Sequence, residues 1–333
     1  MKVLHLLASP VHSGPAETVT QLALAQRALG HEVTIAIDRK RKRSTSEELA
    51  APRLEALGLL DASGLELSVK STPWAMLRDV LTLRRLRVDV VHSHFSHDHT
   101  LLALGRPAAA KLVRSVHAPR SLTALTPAAD LWTVPTEDLT RRLLGQRVTV
   151  LPALVDRSFV PGERVALRAS LGLGPGPLVG MVSTMQPSRR HDLAIDAFSL
   201  VLQRVPGATL VLVGDGAGEP ALRAQVAAAG LEGKVVFAGY QSGERFVHHL
   251  QALDEVWLLG LGNDFSGRAA AQARACDVRV VSVDEGALPR MADVVVEPSA
   301  QALAEVALRP QRREVVMESN EAIARRLMAL LDR

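Results

Sequence analysis

Along most of the chain, apolar runs of three to six residues alternate with longer stretches of helical period. The runs Val3–Ala8, Val33–Ile37, Leu65–Val69, Val88–Val91, Leu112–Val116, Leu131–Val134 and Val148–Leu151 predict seven strands. After Pro152 and a Pro/Gly-rich passage that ends at Pro177, the pattern restarts. A second set follows at Leu178–Val182, Thr209–Val213, Val235–Phe237, Glu255–Leu259, Val278–Val281 and Val294–Val296. Runs apolar on successive positions suit strands buried on both faces of a parallel sheet.

The intervening segments read as helices. Leu193, Ala197, Val201 and Val205, with Phe198 and Leu202 beside them, repeat at three and four residues and make one apolar face. From Glu314 to Arg333 there is no Gly or Pro, and Ile323, Leu327 and Leu331 suit a terminal helix capped near Ser319 or Asn320. Strand and helix in alternation predict an α/β protein of two Rossmann-like, doubly wound domains. We place the N-terminal domain at residues 1–155, the C-terminal domain at 156–310 and a closing helix at 311–333.

Composition narrows this picture. The 333 residues are 47% hydrophobic and 22% charged, which suits a globular chain with two cores. No apolar run approaches the roughly 20 residues of a membrane span, and the opening MKVLHLLASP, interrupted by His5, reads as a buried strand rather than a signal peptide. The single Cys276 excludes an internal disulfide and suits a reducing, cytoplasmic setting. Net charge is only +4, but basic residues cluster at Arg39, Lys40, Arg41, Lys42 and Arg43, and again at Arg84, Arg85 and Arg87. Such blocks attract anionic headgroups or phosphates. With 3% aromatics and no stacking residues interleaved, a nucleic-acid surface is not expected.

Three stretches carry candidate chemistry. Arg189 and Arg190 stand at a helix start, where cations oppose the helix dipole unless an anion offsets them, and guanidinium forks suit a diphosphate. The loop Gly260 to Gly267 follows a buried strand and precedes a helix beginning near Arg268, so its glycines allow backbone to approach a ligand. Asp264 is placed to accept from a sugar hydroxyl, and Tyr240, after Gly239 at a strand end, to cover a flat base. In the N-terminal half, His92 and His94 share a strand face, and His97, Asp98 or His99 would have to complete a metal site. Histidines lining a cleft are the preferred reading, and no metal is expected.

In order and spacing these residues resemble the group-1, family-4 type of glycosyltransferases with the GT-B fold. The similarity runs through GPAETVTQLALAQRALGHEV, VDVVHSH, AADLWTVPTEDLTRRL, VTVLPALVDRSFVPG, PSRRHDLAIDAF, LVLVGDGAGEPALRAQVAAAGLEGKVVFAGY and ACDVRVVSVDEGALP. The resemblance implies two domains facing across a cleft and a retaining transfer of sugar from a nucleoside-diphosphate sugar to an acceptor, without a metal or other cofactor. It implies His94 beside the reacting sugar and Gly14 beside the diphosphate. Arg189 takes the family's phosphate-binding lysine position, with Arg190, Phe265, Ser266, Gly267 and Arg268 nearby. Asp264 and Gln272 take the positions of the family's paired glutamates at sugar and ribose, and Gly239 and Tyr240 lie beside the base. Two positions depart from the family pattern: Thr184 replaces an arginine, and Gln272 lacks the glutamate charge. These departures leave a degenerate, non-catalytic GT-B partner or scaffold as the alternative to an active enzyme. The acceptor is expected to be a lipid-linked or cell-envelope glycan, reached through contact of Arg39 to Arg43 with the inner face of an anionic membrane.

Overall fold

The computed structural model describes residues 1–39, 48–123, 125–261 and 266–332. It divides into two compact units, Met1–Leu154 with Glu318–Arg333, and Val155–Met317. Both are built on a six-stranded sheet, and all registered strand pairs are parallel.

In the N-terminal unit the strands are β1 (Lys2–Leu7), β2 (Glu32–Ile37), β3 (Val90–Ser93), β4 (Lys111–Ser115), β5 (Leu131–Val134) and β6 (Val148–Val150). They run in the order β2-β1-β3-β4-β5-β6. One face packs on the helix Gly14–Ala28 through Val19, Leu22 and Ala23. The final helix, Asn320–Leu331, seats Ile323, Leu327, Met328 and Leu331 in the same core. Its first turn is fixed by the Ser319 hydroxyl, which accepts from the Ala322 N–H.

The predicted strand at Leu65–Val69 does not form. Leu65 and Leu67 are buried, but the N–H groups of Glu66 and Leu67 donate to the Asp79 carboxylate, and Leu67 sits at φ 51°. A buried carboxylate that accepts two backbone N–H groups replaces the ladder bonds a strand would need.

The C-terminal unit holds β7 (Leu178–Val182), β8 (Thr209–Val213), β9 (Val235–Gly239), β10 (Glu255–Leu258), β11 (Arg279–Ser282) and β12 (Val294–Val295), in the order β12-β11-β10-β7-β8-β9. The helix His191–Arg204 buries Ala194, Ile195, Ala197, Phe198 and Val201 against the sheet. Fully burying Phe198 contributes about 2–3 kcal/mol.

A buried ion pair ties β10 to β11. Glu255 accepts from Arg279, from the Trp257 indole N–H and from the Leu308 N–H, while Arg279 also donates to the Gln311 carbonyl. Burial pushes the Glu255 carboxyl up, and Arg279 opposes that shift. Removing one partner from such a pair leaves an uncompensated charge and costs about 3–5 kcal/mol. Arg279→Met is expected to lower the unfolding free energy by that amount, read as a lower urea midpoint, with part of the loss recovered in Arg279→Met/Glu255→Gln. An unchanged midpoint in the single variant would show that the pair is not holding these strands.

Candidate functional site

In an open parallel sheet, two neighbouring strands whose connections leave in opposite directions open a crevice at their carboxyl ends, and ligands bind there. In the C-terminal unit this switch point lies between β7 and β10. The flanking segments are Ser183–Arg190, after β7, and the loop beginning at Leu259, after β10.

Backbone hydrogen bonds lace the strand ends together. Gly214 N–H donates to the Gly239 carbonyl, Ser183 N–H to Val213, Met185 N–H to Asp215, Gly218 N–H to Met185 and Leu261 N–H to Ser188. The lacing requires glycine. Gly214 has φ 140°, and a Cβ there would lie 2.1 Å from the Ser183 carbonyl oxygen; at Gly216 it would lie 2.7 Å from that of Met185. Gly214, Gly216 and Gly218 were not among the sequence candidates. Alternate glycines directly after an apolar strand were the available signal.

Arg190 adopts a left-handed conformation at φ 58°, which costs a non-glycine residue about 1–2 kcal/mol and turns the chain into the helix that starts at His191. Arg189 and Arg190 are both partly buried there. His191, also missed from sequence, is buried, with its Nε2 3.4 Å from Ser183 Oγ and, among the described residues, no hydrogen-bond partner at Nδ1. Burial, reinforced by Arg189, lowers it to about 4.

On the β10 side, Ser266 and Gly267 lead into the helix Arg268–Ala275. Gly267 has φ 62°, and Gln272 is buried on that helix. Asp264 and Phe265 lie outside the described residues. Gly239 ends β9 at φ 68°, and Tyr240 after it is 54% exposed. The structure thus brings Arg189 and Arg190 to one switch point with the loop that leads to Ser266, Gly267 and Arg268, while Gly239 and Tyr240 stand two strands away, beyond β8.

In the N-terminal unit the switch point lies between β1 and β3. Gly14 opens the helix that follows β1, and His94 follows β3 directly. Glu17 in that helix's first turn meets His12 at 3.0 Å and Arg53 at 3.5 Å.

His94 belongs to a buried cluster that sequence showed only in part. His5, aligned with His92 across β1 and β3, places its Nδ1 3.0 Å from His94 Nε2. His92 Nε2 lies 2.8 Å from Ser115 Oγ, and His117 stacks 5.6 Å from His94. His97 and His99 are not part of the group; His99 instead spans Ser93 Oγ and the Pro127 carbonyl. Asp98 accepts from the N–H groups of Ala8, His94 and Phe95, and faces the buried Arg114 at 3.9 Å.

His5, His92 and His94 can bring three ligand nitrogens within 4.8 Å of one another, so they are the candidate metal ligands among the described residues. The fit is poor. His5 Nδ1 and His94 Nε2 already meet each other at 3.0 Å and His92 Nε2 is engaged with Ser115, so an ion on these nitrogens would have to break existing contacts.

Against known proteins, the family model "Glycosyltransferase Family 4" matches residues 12–159 and the model "Glycosyl transferases group 1" matches residues 176–310. Among solved structures, the Anabaena protein HepE in complex with UDP and glucose superposes with a TM-score of 0.74 at 18% identity, over 100% of this chain and 97% of that one. Sucrose-phosphate synthase from Thermosynechococcus elongatus gives 0.65 at 18% identity, over 99% and 95%. The fold is therefore GT-B, with two Rossmann-like units. The chain belongs to the group-1, family-4 glycosyltransferases. The D-inositol 3-phosphate glycosyltransferase of Nocardia farcinica is 32% identical over 225 residues, covering 62% of this chain and 49% of the relative. That of Rhodococcus erythropolis is 35% identical over 138 residues, covering 39% and 31%. The chain spans about half the length of the first of these and less of the second.

The buried histidines set the acid response. Burial lowers His5, His117 and His191 to about 4, and His92 and His94 well below 6.5. Unfolded, each takes up a proton near 6.5, so their contribution to stability is full above that pH and is lost as pH falls toward 4. Asp98, raised by burial to about 7, acts oppositely: its contribution is full below 3.8 and is lost as pH rises through 7. Five histidines outweigh one carboxyl, so the denaturant midpoint is expected to fall steadily between pH 6.5 and 4. A flat midpoint across that window would contradict the neutral, buried cluster.

Proposed function

We propose that this protein transfers a sugar, with retention of anomeric configuration, from a nucleoside-diphosphate sugar to a hydroxyl-bearing acceptor. The observation that supports this reading is the laced switch point of the C-terminal unit, where the Leu261 N–H after β10 donates to the Ser188 carbonyl next to Arg189 and Arg190; on this reading the N-terminus of the helix Arg268–Ala275 faces the same ligand. Guanidinium groups and backbone N–H donors held before the reaction stabilise charge as it develops on a leaving diphosphate. On this reading the chemistry needs no metal. HepE, a fold neighbour solved with UDP and glucose, supports a uridine nucleotide as the first donor to test. The inositol-phosphate relatives support a small polyol phosphate as the first acceptor, ahead of a lipid-linked or cell-envelope glycan.

A second reading, a non-catalytic GT-B partner protein, is favoured by Thr184 and the uncharged Gln272. An amide oxygen accepts from a ribose hydroxyl more weakly than a carboxylate, by about 1–2 kcal/mol. Nucleotide binding separates the two. In thermal denaturation with UDP, GDP, ADP, TDP and CMP and their sugars, a matched nucleotide at about 100 times its dissociation constant adds about 2.7 kcal/mol. The shift is expected to be base-selective and to shrink in Arg189→Ala and Arg268→Ala. If no nucleotide shifts the transition, the partner reading stands.

The basic block further supports peripheral contact with the inner, anionic face of a membrane from a cytoplasmic position. Among the described residues no helix is long and apolar enough to cross a membrane. Arg39 is exposed and donates to the Asp61 carbonyl, and residues 40–43 lie outside the described residues. Co-sedimentation with anionic liposomes is expected to fall with salt and to vanish when Arg39, Lys40, Arg41, Lys42 and Arg43 are neutralised. No binding at low salt would leave the block without this role.

A further inference from the structure

The strongest unexplained feature of the N-terminal unit is a line of four side chains that runs from the last helix to His94. The Gln26 amide N–H donates to Met328 Sδ at 3.4 Å. That contact turns the amide oxygen toward His5 Nε2, 2.8 Å away. An amide oxygen only accepts, so His5 Nε2 carries a proton. His5 is fully buried and no acidic side chain meets its ring among the described residues, so the ring is neutral and its Nδ1 offers a bare lone pair. His94 Nε2 lies 3.0 Å from that lone pair and must donate to it. His94 is buried too, and Asp98 meets its backbone N–H rather than its ring, so the neutral ring has no proton on Nδ1 and, among the described residues, no hydrogen-bond partner there.

We propose that Met328, Gln26 and His5 act as a positioning relay that locks His94 in the Nε2–H tautomer, so that its Nδ1 acts only as an acceptor for a substrate hydroxyl. This rests on the reading that His94 meets a sugar or polyol at the switch point between β1 and β3. The opposite tautomer would need a proton on His5 Nδ1 and a lone pair at its Nε2 facing the amide oxygen. Rotating the amide to relieve that clash would put its oxygen against the Met328 sulfur and remove the hydrogen bond that the N–H group makes there.

The other groups around His94 do not supply a rival donor. His92 stacks on it and is engaged with Ser115, and the Ser115 hydroxyl lies 2.6 Å from Thr133 Oγ1. His117 stacks with its ring centroid 5.6 Å from that of His94, and no hydrogen bond joins the two rings among the described residues. Asp98 meets the His94 backbone N–H rather than its ring, and Arg114 faces Asp98. A ligand hydroxyl that donates to His94 Nδ1 would satisfy that open acceptor and orient its oxygen for reaction. His94 is then the residue in contact with substrate, while His5, Gln26 and Met328 act through it.

The test is a two-bond proton–nitrogen correlation spectrum of the full chain labelled with nitrogen-15 histidine, which reads tautomers without needing activity. The expected pattern is a protonated Nε2 and an unprotonated Nδ1 on both His5 and His94. Gln26→Leu should release His94 into mixed tautomers and lower kcat roughly tenfold with little change in KM. Gln26→Glu, which keeps an acceptor toward His5, should retain the tautomer and move the acidic limb of the pH–rate profile upward. Should Gln26→Leu fail to fold, Met328→Leu keeps the Gln26 side chain and is expected to introduce a second His94 tautomer.

A protonated Nδ1 on His94 in the parent protein, or a Gln26→Leu spectrum identical to the parent's, would overturn the relay. So would a shift of His5 Nδ1 and His94 Nε2 together on adding Zn²⁺, which would make the cluster a metal site. The expected tautomer in a protein inactive with every donor would instead sink the glycosyl-transfer reading and leave the relay standing.

Discussion

Both candidate sites depend on one constraint: two strands that are not consecutive in the chain pair side by side. β1 hydrogen-bonds to β3 with His5 opposite His92, and β10 to β7 with Glu255 opposite Val179. A parallel sheet forces every strand's connection to leave from the same end. Where the order reverses, the connections part and expose backbone N–H groups in a crevice. Gly14 and His94 stand at one such place and Arg189, with the loop toward Arg268, at the other. Neither position reflects the chemistry of those residues; pairing order put them there.

The two crevices are furnished in opposite ways. In the C-terminal unit the ends of β9, β8, β7 and β10 are joined by backbone hydrogen bonds, and Gly214 and Gly216 let the chains approach too closely for any side chain. Backbone donors fixed in this manner need no reorganisation when an anion arrives. In the N-terminal unit the furnishing is a cluster of neutral imidazoles in which His5, His92 and His94 are buried. Neutral rings can fix tautomers through one another, whereas charged ones at this spacing would repel.

The closing helix links these themes. It caps the hydrophobic core of the N-terminal unit with Ile323, Leu327 and Leu331, and the same face brings Met328 to Gln26. A packing element thereby reaches a candidate functional histidine through two intermediaries. A helix that is distant in sequence can tune a site it does not line.

Hydrophobic period alone determined the alternating α/β architecture, the apolar face of the helix after β7 and the closing helix with its Ile323, Leu327 and Leu331 stripe. Each of these is a local property, because side-chain burial repeats with the backbone. The resemblance in VDVVHSH and PSRRHDLAIDAF drew His94 and Arg189 to attention. Local pattern could not show that Leu65–Val69 stays irregular, because its backbone partner is the side chain of Asp79 on a separate helix. Nor could it join His5, Gln26 and Met328 to His94, or reveal why Gly214 and Gly216 must lack a Cβ. Those facts concern which groups meet across the fold, and hydrogen-bond partners between distant segments leave no periodic trace in the chain. Only the tertiary structure decided them, because pairing order and helix docking choose contacts among many that the same pattern would allow.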